Sequence, residues 1–100
     1  MTVLAKEKYM ARFFGPFRIV TNTKIEEFKL DHKKKITIKD LIGKIIEKYD
    51  ELKDSFYING ELNNNVNIVI NGEDIRSGNG LDTEIHRDDR ITFFKGVGGG

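Results

Sequence analysis

The chain ends in Ile91-Thr92-Phe93-Phe94-Lys95-Gly96-Val97-Gly98-Gly99-Gly100, where a strand-like run gives way to glycines. Gly98, Gly99 and Gly100 have no side chain to pack, cap or coordinate. Each adds backbone freedom that folding would have to remove, so residues 96–100 are expected to project into solvent as a flexible tail. The functional group left there is the carboxylate of Gly100. An α-carboxyl titrates near roughly 3.5, so at neutral pH it is ionised, and it is a poor electrophile until something such as ATP activates it. Without Cβ atoms near its end, such a tail can thread a narrow channel into another protein's active site. A flexible linker is the other reading of the same glycines.

Other chemistry-bearing residues are sparse. His32 and His86 are far apart in sequence and neither has neighbours at metal-ligand spacing. Cys 0 excludes thiolate metal sites, disulfides and a cysteine nucleophile, so no metal site is expected. The sequence carries no Ser-His-Asp arrangement, and the tail glycines follow a strand but open no helix, unlike a phosphate-cradling loop. The chain is therefore expected to be a substrate and carrier for other enzymes' chemistry, not an enzyme.

One hundred residues leave room for one domain spanning 1–100, with a single modest core and a loose N-terminus over 1–7. Lys+Arg 17 against Asp+Glu 16 lacks the basic excess of a nucleic-acid binder. The apolar runs are too short to span a bilayer, and Met1 to Tyr9 lacks the long apolar centre of a signal peptide, so a cytoplasmic location is expected.

The elements that must present the tail can be read from patterning. Lys8 to Phe17 reads as a first strand, with Tyr9, Ala11 and Phe13 on one face and Met10, Arg12 and Phe14 on the other; both faces carry apolar residues. Gly15 and Pro16 interrupt it, and Thr21-Asn22-Thr23 reads as a turn into a second strand over Lys24–Leu30, giving an antiparallel hairpin. Asp31-His32-Lys33-Lys34-Lys35 reads as a solvated connection, the alternative being a patch for phosphate or an acidic partner. Thr37 and Asp40 form a capping box that opens a helix. Its apolar residues Ile38, Leu41, Ile42, Ile45, Ile46, Tyr49 and Leu52 recur at spacings of three and four, a stripe that needs a sheet to lie on. Residues 53–65 read as a loop pinned by Phe56 and Ile58. Val66–Ile70 reads as a strand closed by the Asn71-Gly72 turn, Leu81 and Ile85 should pack inward, and Asp88-Asp89 turns the chain into the last strand. In that strand Ile91 and Phe93 share one face, and Thr92 and Phe94 the other.

In this order, Asn71-Gly72-Glu73-Asp74-Ile75-Arg76, Gly80-Leu81-Asp82-Thr83, Asp89-Arg90-Ile91-Thr92-Phe93-Phe94 and Val97-Gly98-Gly99-Gly100 resemble the C-terminal half of the MoaD/ThiS-type ubiquitin-like sulfur carriers. The nearest type is the small subunit of molybdopterin synthase, and the thiamine-pathway carrier is its cousin. Phe13-Phe14-Gly15-Pro16-Phe17-Arg18 resembles that family's first strand and following arginine, and Thr37-Ile38-Lys39-Asp40-Leu41-Ile42 its helix start. The chain departs from the pattern at Asp88-Asp89, where the family has Gly-Asp, at Lys95 and Gly96, where it has prolines, and in the longer stretch 53–65.

The resemblance implies an α+β, ubiquitin-like β-grasp fold, a mixed sheet packed on one main helix. It also implies that Gly100, with Gly99 and Gly98 giving reach, is adenylated and converted to a thiocarboxylate that donates sulfur in molybdopterin (molybdenum or tungsten cofactor) biosynthesis. The implied partners are a ubiquitin-activating-type adenylating enzyme, a sulfur donor protein and the large subunit of molybdopterin synthase, with no nucleic acid and no membrane. No cofactor is expected to stay bound, and ATP is used by the activating partner. Phe94, Arg18, Val97 and Gly98 are the expected partner-binding residues; a buried aromatic under the 53–65 loop and an ordinary surface arginine are the plain alternatives for Phe94 and Arg18. Two other functions share these features: a protein modifier joined to lysines through Gly100, and a non-reactive ubiquitin-like interaction domain.

Overall fold

The computed structural model describes residues 7–31 and 33–96. In chain order it comprises β1 (Lys8–Phe13), α1 (Pro16–Thr21), β2 (Ile25–Lys29), β3 (Ile36–Thr37), α2 (Ile38–Lys48), a 3-10 turn over Asp50–Leu52, α3 (Lys53–Phe56), β4 (Tyr57–Ile58), β5 (Glu61–Leu62), β6 (Val66–Ile70), β7 (Glu73–Asp74), 3-10 turns over Ile75–Ser77 and Gly80–Asp82, β8 (Glu84–Ile85) and β9 (Arg90–Lys95). The main sheet runs β2-β1-β9-β6-β7. Its central pair, β1 and β9, is parallel, and the flanking pairs are antiparallel, so the sheet is mixed as expected.

The alternation in β1 is resolved by burial: Tyr9, Ala11 and Phe13 are in the core, and Arg12 and Phe14 face out. Ile91 and Phe93 from β9, Val66 and Ile68 from β6, and Ile38, Leu41, Ile42 and Ile45 from α2 complete the layer between sheet and helix. The capping box of α2 is fully formed. Asp40 N–H donates to Thr37 Oγ1 at 3.3 Å, and Thr37 N–H donates to Asp40 Oδ2 at 3.0 Å. The helix ends at Lys48 rather than running on to Leu52; Leu52 is still buried because the 3-10 turn carries it back onto the core.

Two expectations are corrected. The first strand stops at Phe13, and Pro16–Thr21 is a short helix. Proline suits the first helical turn because the N–H it lacks would have had no partner there, and Gly15 supplies the positive φ of 58° that turns the chain into it. The helix ends on Asn22, left-handed, whose N–H donates to the Arg18 carbonyl. The stretch 53–65 is not a loop: it holds α3 and a two-stranded hairpin of β4 and β5 turned at Asn59-Gly60. Phe56 is a full member of the core, as expected of a pin, but Ile58 is 53% exposed and pins nothing.

The Asp88-Asp89 departure leaves the turn intact. Asp88 adopts φ 65°, a conformation Asp tolerates better than most residues. Its N–H donates to the Lys8 carbonyl at 2.7 Å, and Asp89 Oδ2 accepts from His86 N–H at 2.7 Å.

Candidate functional site: the exit of strand β9 and the face beside it

The tail leaves the middle of the sheet. Strand β9 is paired on both sides, with Phe13 opposite Phe93 on β1 and Val66 opposite Lys95 on β6. Gly96 N–H continues the second pairing by donating to the Asn65 carbonyl at 2.7 Å. Val97, Gly98, Gly99 and Gly100, and with them the expected acyl carrier and its reach, lie outside the described residues, as do His32 and residues 1–6.

Phe94 is on the outer face of β9 and 36% exposed, so it is not the buried aromatic of the alternative reading. The β1–β9 register carries on one residue further, with Phe14 N–H donating to the Phe93 carbonyl at 3.1 Å, and this sets Phe14 beside Phe94. Phe14 is itself 43% exposed, and the Arg12 guanidinium lies 5.5 Å from its ring centroid. Ile25, opposite Arg12 on β2, is 51% exposed. A recess of ≈ 410 Å³ opens elsewhere, near the start of β1; the one that matters here is smaller, ≈ 220 Å³, and is lined by Arg12, Phe13, Phe14, Arg18, Lys24 and Ile25.

Arg18, exposed on α1, therefore shares a recess with Phe14, and Phe14 adjoins Phe94. The sequence alone singled out Phe94 and Arg18 as candidates but not Phe14, Arg12, Ile25 and Lys24, which the structure places beside them. The signal for Phe14 was present: the same alternation that buries Phe13 sends Phe14 outward. Grouping Ile25 and Lys24 with it needed the β1–β2 register, which residue patterning does not supply. No acidic residue lines the recess, and its three cations make no ion pair among the described residues. The surface is apolar with a positive rim.

Elsewhere the polar chemistry is structural. His86 is exposed, with Nδ1 3.7 Å from a Glu84 carboxylate oxygen, and among the described residues no group of three or more His, Cys, Asp or Glu could hold a metal. The Arg76 side chain, and then its backbone N–H, hydrogen-bond to Asp74 and hold that carboxyl below its ordinary range. Among the described residues no helix is long and apolar enough to cross a membrane.

A mixed sheet clasping one principal helix, with its central strand leading to the C-terminus, is the β-grasp fold of ubiquitin-like proteins. A model of the ThiS family matches residues 11–100, and the chain belongs to that family. Small archaeal modifier protein 3 of Haloferax volcanii is 29% identical over 89 residues, 89% of this chain and 95% of that protein. The solution structure of small archaeal modifier protein 1 from Methanosarcina acetivorans is similar with a TM-score of 0.80 at 24% identity, over 96% of this chain and 99% of that one. The putative molybdopterin converting factor subunit 1 from Pyrococcus furiosus is similar with a TM-score of 0.69 at 24% identity, over 91% and 99%. At these identities the two structures bear on the fold. The chain is thus a ubiquitin-like protein of the sulfur-carrier and modifier class, a carrier and not an enzyme.

Proposed function

We propose that this protein is a sulfur carrier whose Gly100 is converted to a thiocarboxylate that supplies sulfur for molybdopterin. The chemistry runs in two displacements and a reductive cleavage. The carboxylate attacks the α-phosphorus of ATP on an activating enzyme, releasing pyrophosphate and leaving an acyl adenylate. The terminal sulfur of a persulfide on the sulfur donor protein then attacks the carbonyl carbon and AMP departs, and a thiol cleaves the resulting acyl disulfide, leaving the thiocarboxylate on Gly100 and a disulfide on the thiol side. The chain contributes presentation to these steps, with Gly98 and Gly99 narrow enough to enter an enclosed site and no side chain near the reacting carbon. Phe94, with Phe14 and Ile25 beside it and Arg12, Arg18 and Lys24 at the rim, is the face that docks on the activating enzyme and on the large subunit of the synthase. Its charge favours partner surfaces carrying Asp and Glu. A cytoplasmic setting, where ATP is available, suits a chain with Cys 0.

The observation that carries this reading is the extent of the family match, which runs through Gly100, together with the placement of β9 as a doubly paired strand leading to it. A second reading, conjugation of Gly100 to lysines, is favoured by the relative named as a modifier. Activation is common to both, and the acceptor differs. Intact mass spectrometry of the protein isolated from its native host separates them. A C-terminal gain equal to one sulfur-for-oxygen exchange supports the carrier, and isopeptide-linked Gly-Val-Gly-Gly-Gly remnants, left by trypsin cutting after Lys95, on lysines of other proteins support the modifier. A protein that shows neither, and that no ATP-dependent enzyme of the host activates, is an inert interaction domain.

A further inference from the structure

The point where the tail departs is closed by a side-chain hydrogen bond. Asn65 stands opposite Gly96, one rung beyond the Val66–Lys95 pair that ends the β6–β9 register. Asn71 and Arg90, at the other end of the same ladder, occupy an equivalent rung, and there Asn71 N–H crosses to the Arg90 carbonyl at 2.9 Å while Arg90 N–H is taken by Asn71 Oδ1 at 2.9 Å, so an asparagine side chain closes that end as well. Residues on such a rung ordinarily exchange two hydrogen bonds. At the tail end Gly96 N–H crosses to the Asn65 carbonyl, but Asn65 N–H is taken by the side chain of Asn63, Oδ1, at 2.9 Å.

Asn63 is itself firmly held. It is 8% exposed, one of two buried polar residues among those described, and its Nδ2 donates to the Ser55 carbonyl at 3.4 Å. Its N–H donates to the Phe56 carbonyl at 2.7 Å, and its carbonyl accepts from Val66 N–H at 3.0 Å. Asn67 Nδ2 adds a second donor to the Asn65 carbonyl at 3.4 Å, and Asn67 Oδ1 is in turn held by Arg76. The segment 53–65 thus reaches from the core residue Phe56 to the backbone at the root of the tail.

We propose that Asn63 is a positioning residue for the tail. By taking the Asn65 N–H it stops the ladder at Gly96, and by fixing the turn 63–65 it keeps the Asn65 carbonyl in place as the acceptor for Gly96 N–H. The rung then sets where, and in which direction, the chain leaves the sheet on its way to Gly100. The functional part of this inference rests on the reading of Gly100 as the activated end; the structural part does not.

Two measurements on the whole chain test it. In amide hydrogen exchange, Gly96 N–H should be protected at least about tenfold relative to an unstructured glycine. Asn63→Ala should abolish that protection and leave Ile68 and Ile91 protected. Asn63→Asp, which keeps an oxygen for Asn65 N–H, should retain it. A Gly96 amide that exchanges freely in the unaltered protein overturns the proposal, and so does an Asn63→Asp chain that behaves like Asn63→Ala. The second measurement is ATP–pyrophosphate exchange with the adenylating enzyme of the native host. Freeing one backbone residue at the root corresponds to about a tenfold loss of rate. Asn63→Ala should lower kcat about tenfold with KM unchanged, since the docking face is untouched. Ile46→Ala, destabilising from a half-buried position on α2, should change neither. Wild-type kcat in Asn63→Ala overturns the positioning role. If the unaltered chain is not adenylated at all, the functional reading fails, and the Gly96 exchange result still decides the structural one.

Discussion

Replacing Phe56 by alanine tests whether the segment 53–65 is part of the body that holds the tail strand. Phe56 is fully buried, its ring centroid 4.9 Å from that of Phe17 and 5.5 Å from that of Phe93, which it meets edge-on. Phe93 in turn lies 5.9 Å from Phe13 and 6.3 Å from Phe17, so four aromatic rings from β1, α1, α3 and β9 form one cluster. Truncating a buried Phe costs roughly 3–5 kcal/mol, and with two aromatic pairs lost the expected value is about 4 kcal/mol. A domain of this size holds only roughly 5–15 kcal/mol in all, so the melting temperature should fall by about 15–30 °C. Phe56→Leu, which refills most of the volume, should lose about 1–2 kcal/mol. Urea unfolding followed by circular dichroism, with the slope checked for constancy, measures both. An alanine variant that loses less than about 1 kcal/mol would show that the segment is an appendage on a core complete without it.

Two further outcomes are expected. Burial, and after it the charge of Asp40, raises the Tyr9 phenol to about 12. Between roughly pH 10 and 12 the unfolded chain then loses this proton while the native chain keeps it, so stability falls with rising pH. Two pKa units correspond to at most about 3 kcal/mol, and screening at the hydroxyl, which sits 3.5 Å from Lys44 Nζ, reduces this to about 1–2. Urea midpoints at pH 8 and 11 should diverge less in Tyr9→Phe than in the unaltered protein; identical divergence in both removes the argument. Phe94→Ala should leave stability within about 0.5 kcal/mol and weaken binding to the activating enzyme by about tenfold or more, as titration calorimetry would register. If exposed Ile58→Ala weakens binding as much, Phe94 is not the anchor.

The legibility of this chain in its sequence followed the range of the interactions involved. Helix α2 was plain because its cap and stripe are local: Thr37 and Asp40 are three residues apart, and the stripe repeats within turns. The outward setting of Phe94 followed from simple alternation. The helix at Pro16 was hidden because an aromatic run before proline looks like a strand, and only the burial of Phe17 against Phe56 and Phe93, far along the chain, makes six residues worth coiling. The hairpin at Tyr57–Ile58 and Glu61–Leu62 was hidden for a related reason. Two-residue strands carry no periodicity, and this pair is held by its turn and by Asn63, whose buried amide contacts could not be told from those of its neighbours Asn64 and Asn65. The positively rimmed recess beside Phe94 escaped because its members come from β1, α1 and β2, and join only through register.

The same geometry limits what a partner can look like. On the proposed reading, with Lys95 and Gly96 tied to the sheet, Gly100 can lie at most about 14 Å from Gly96 along a fully extended chain. An enzyme that grips Phe94 and the neighbouring recess must therefore hold the α-phosphorus of its ATP within about that distance of the grip. A short leash of glycines reconciles two demands that otherwise conflict. For the proposed adenylation the chain near Gly100 must be thin and adaptable enough to enter an enclosed site, while each freely rotating residue lowers the fraction of conformers that place the carboxylate correctly. Pairing β9 to β1 through Phe93 and to β6 through Lys95, and fixing Gly96 through Asn65, sets the root from which residues 97–100 have to reach.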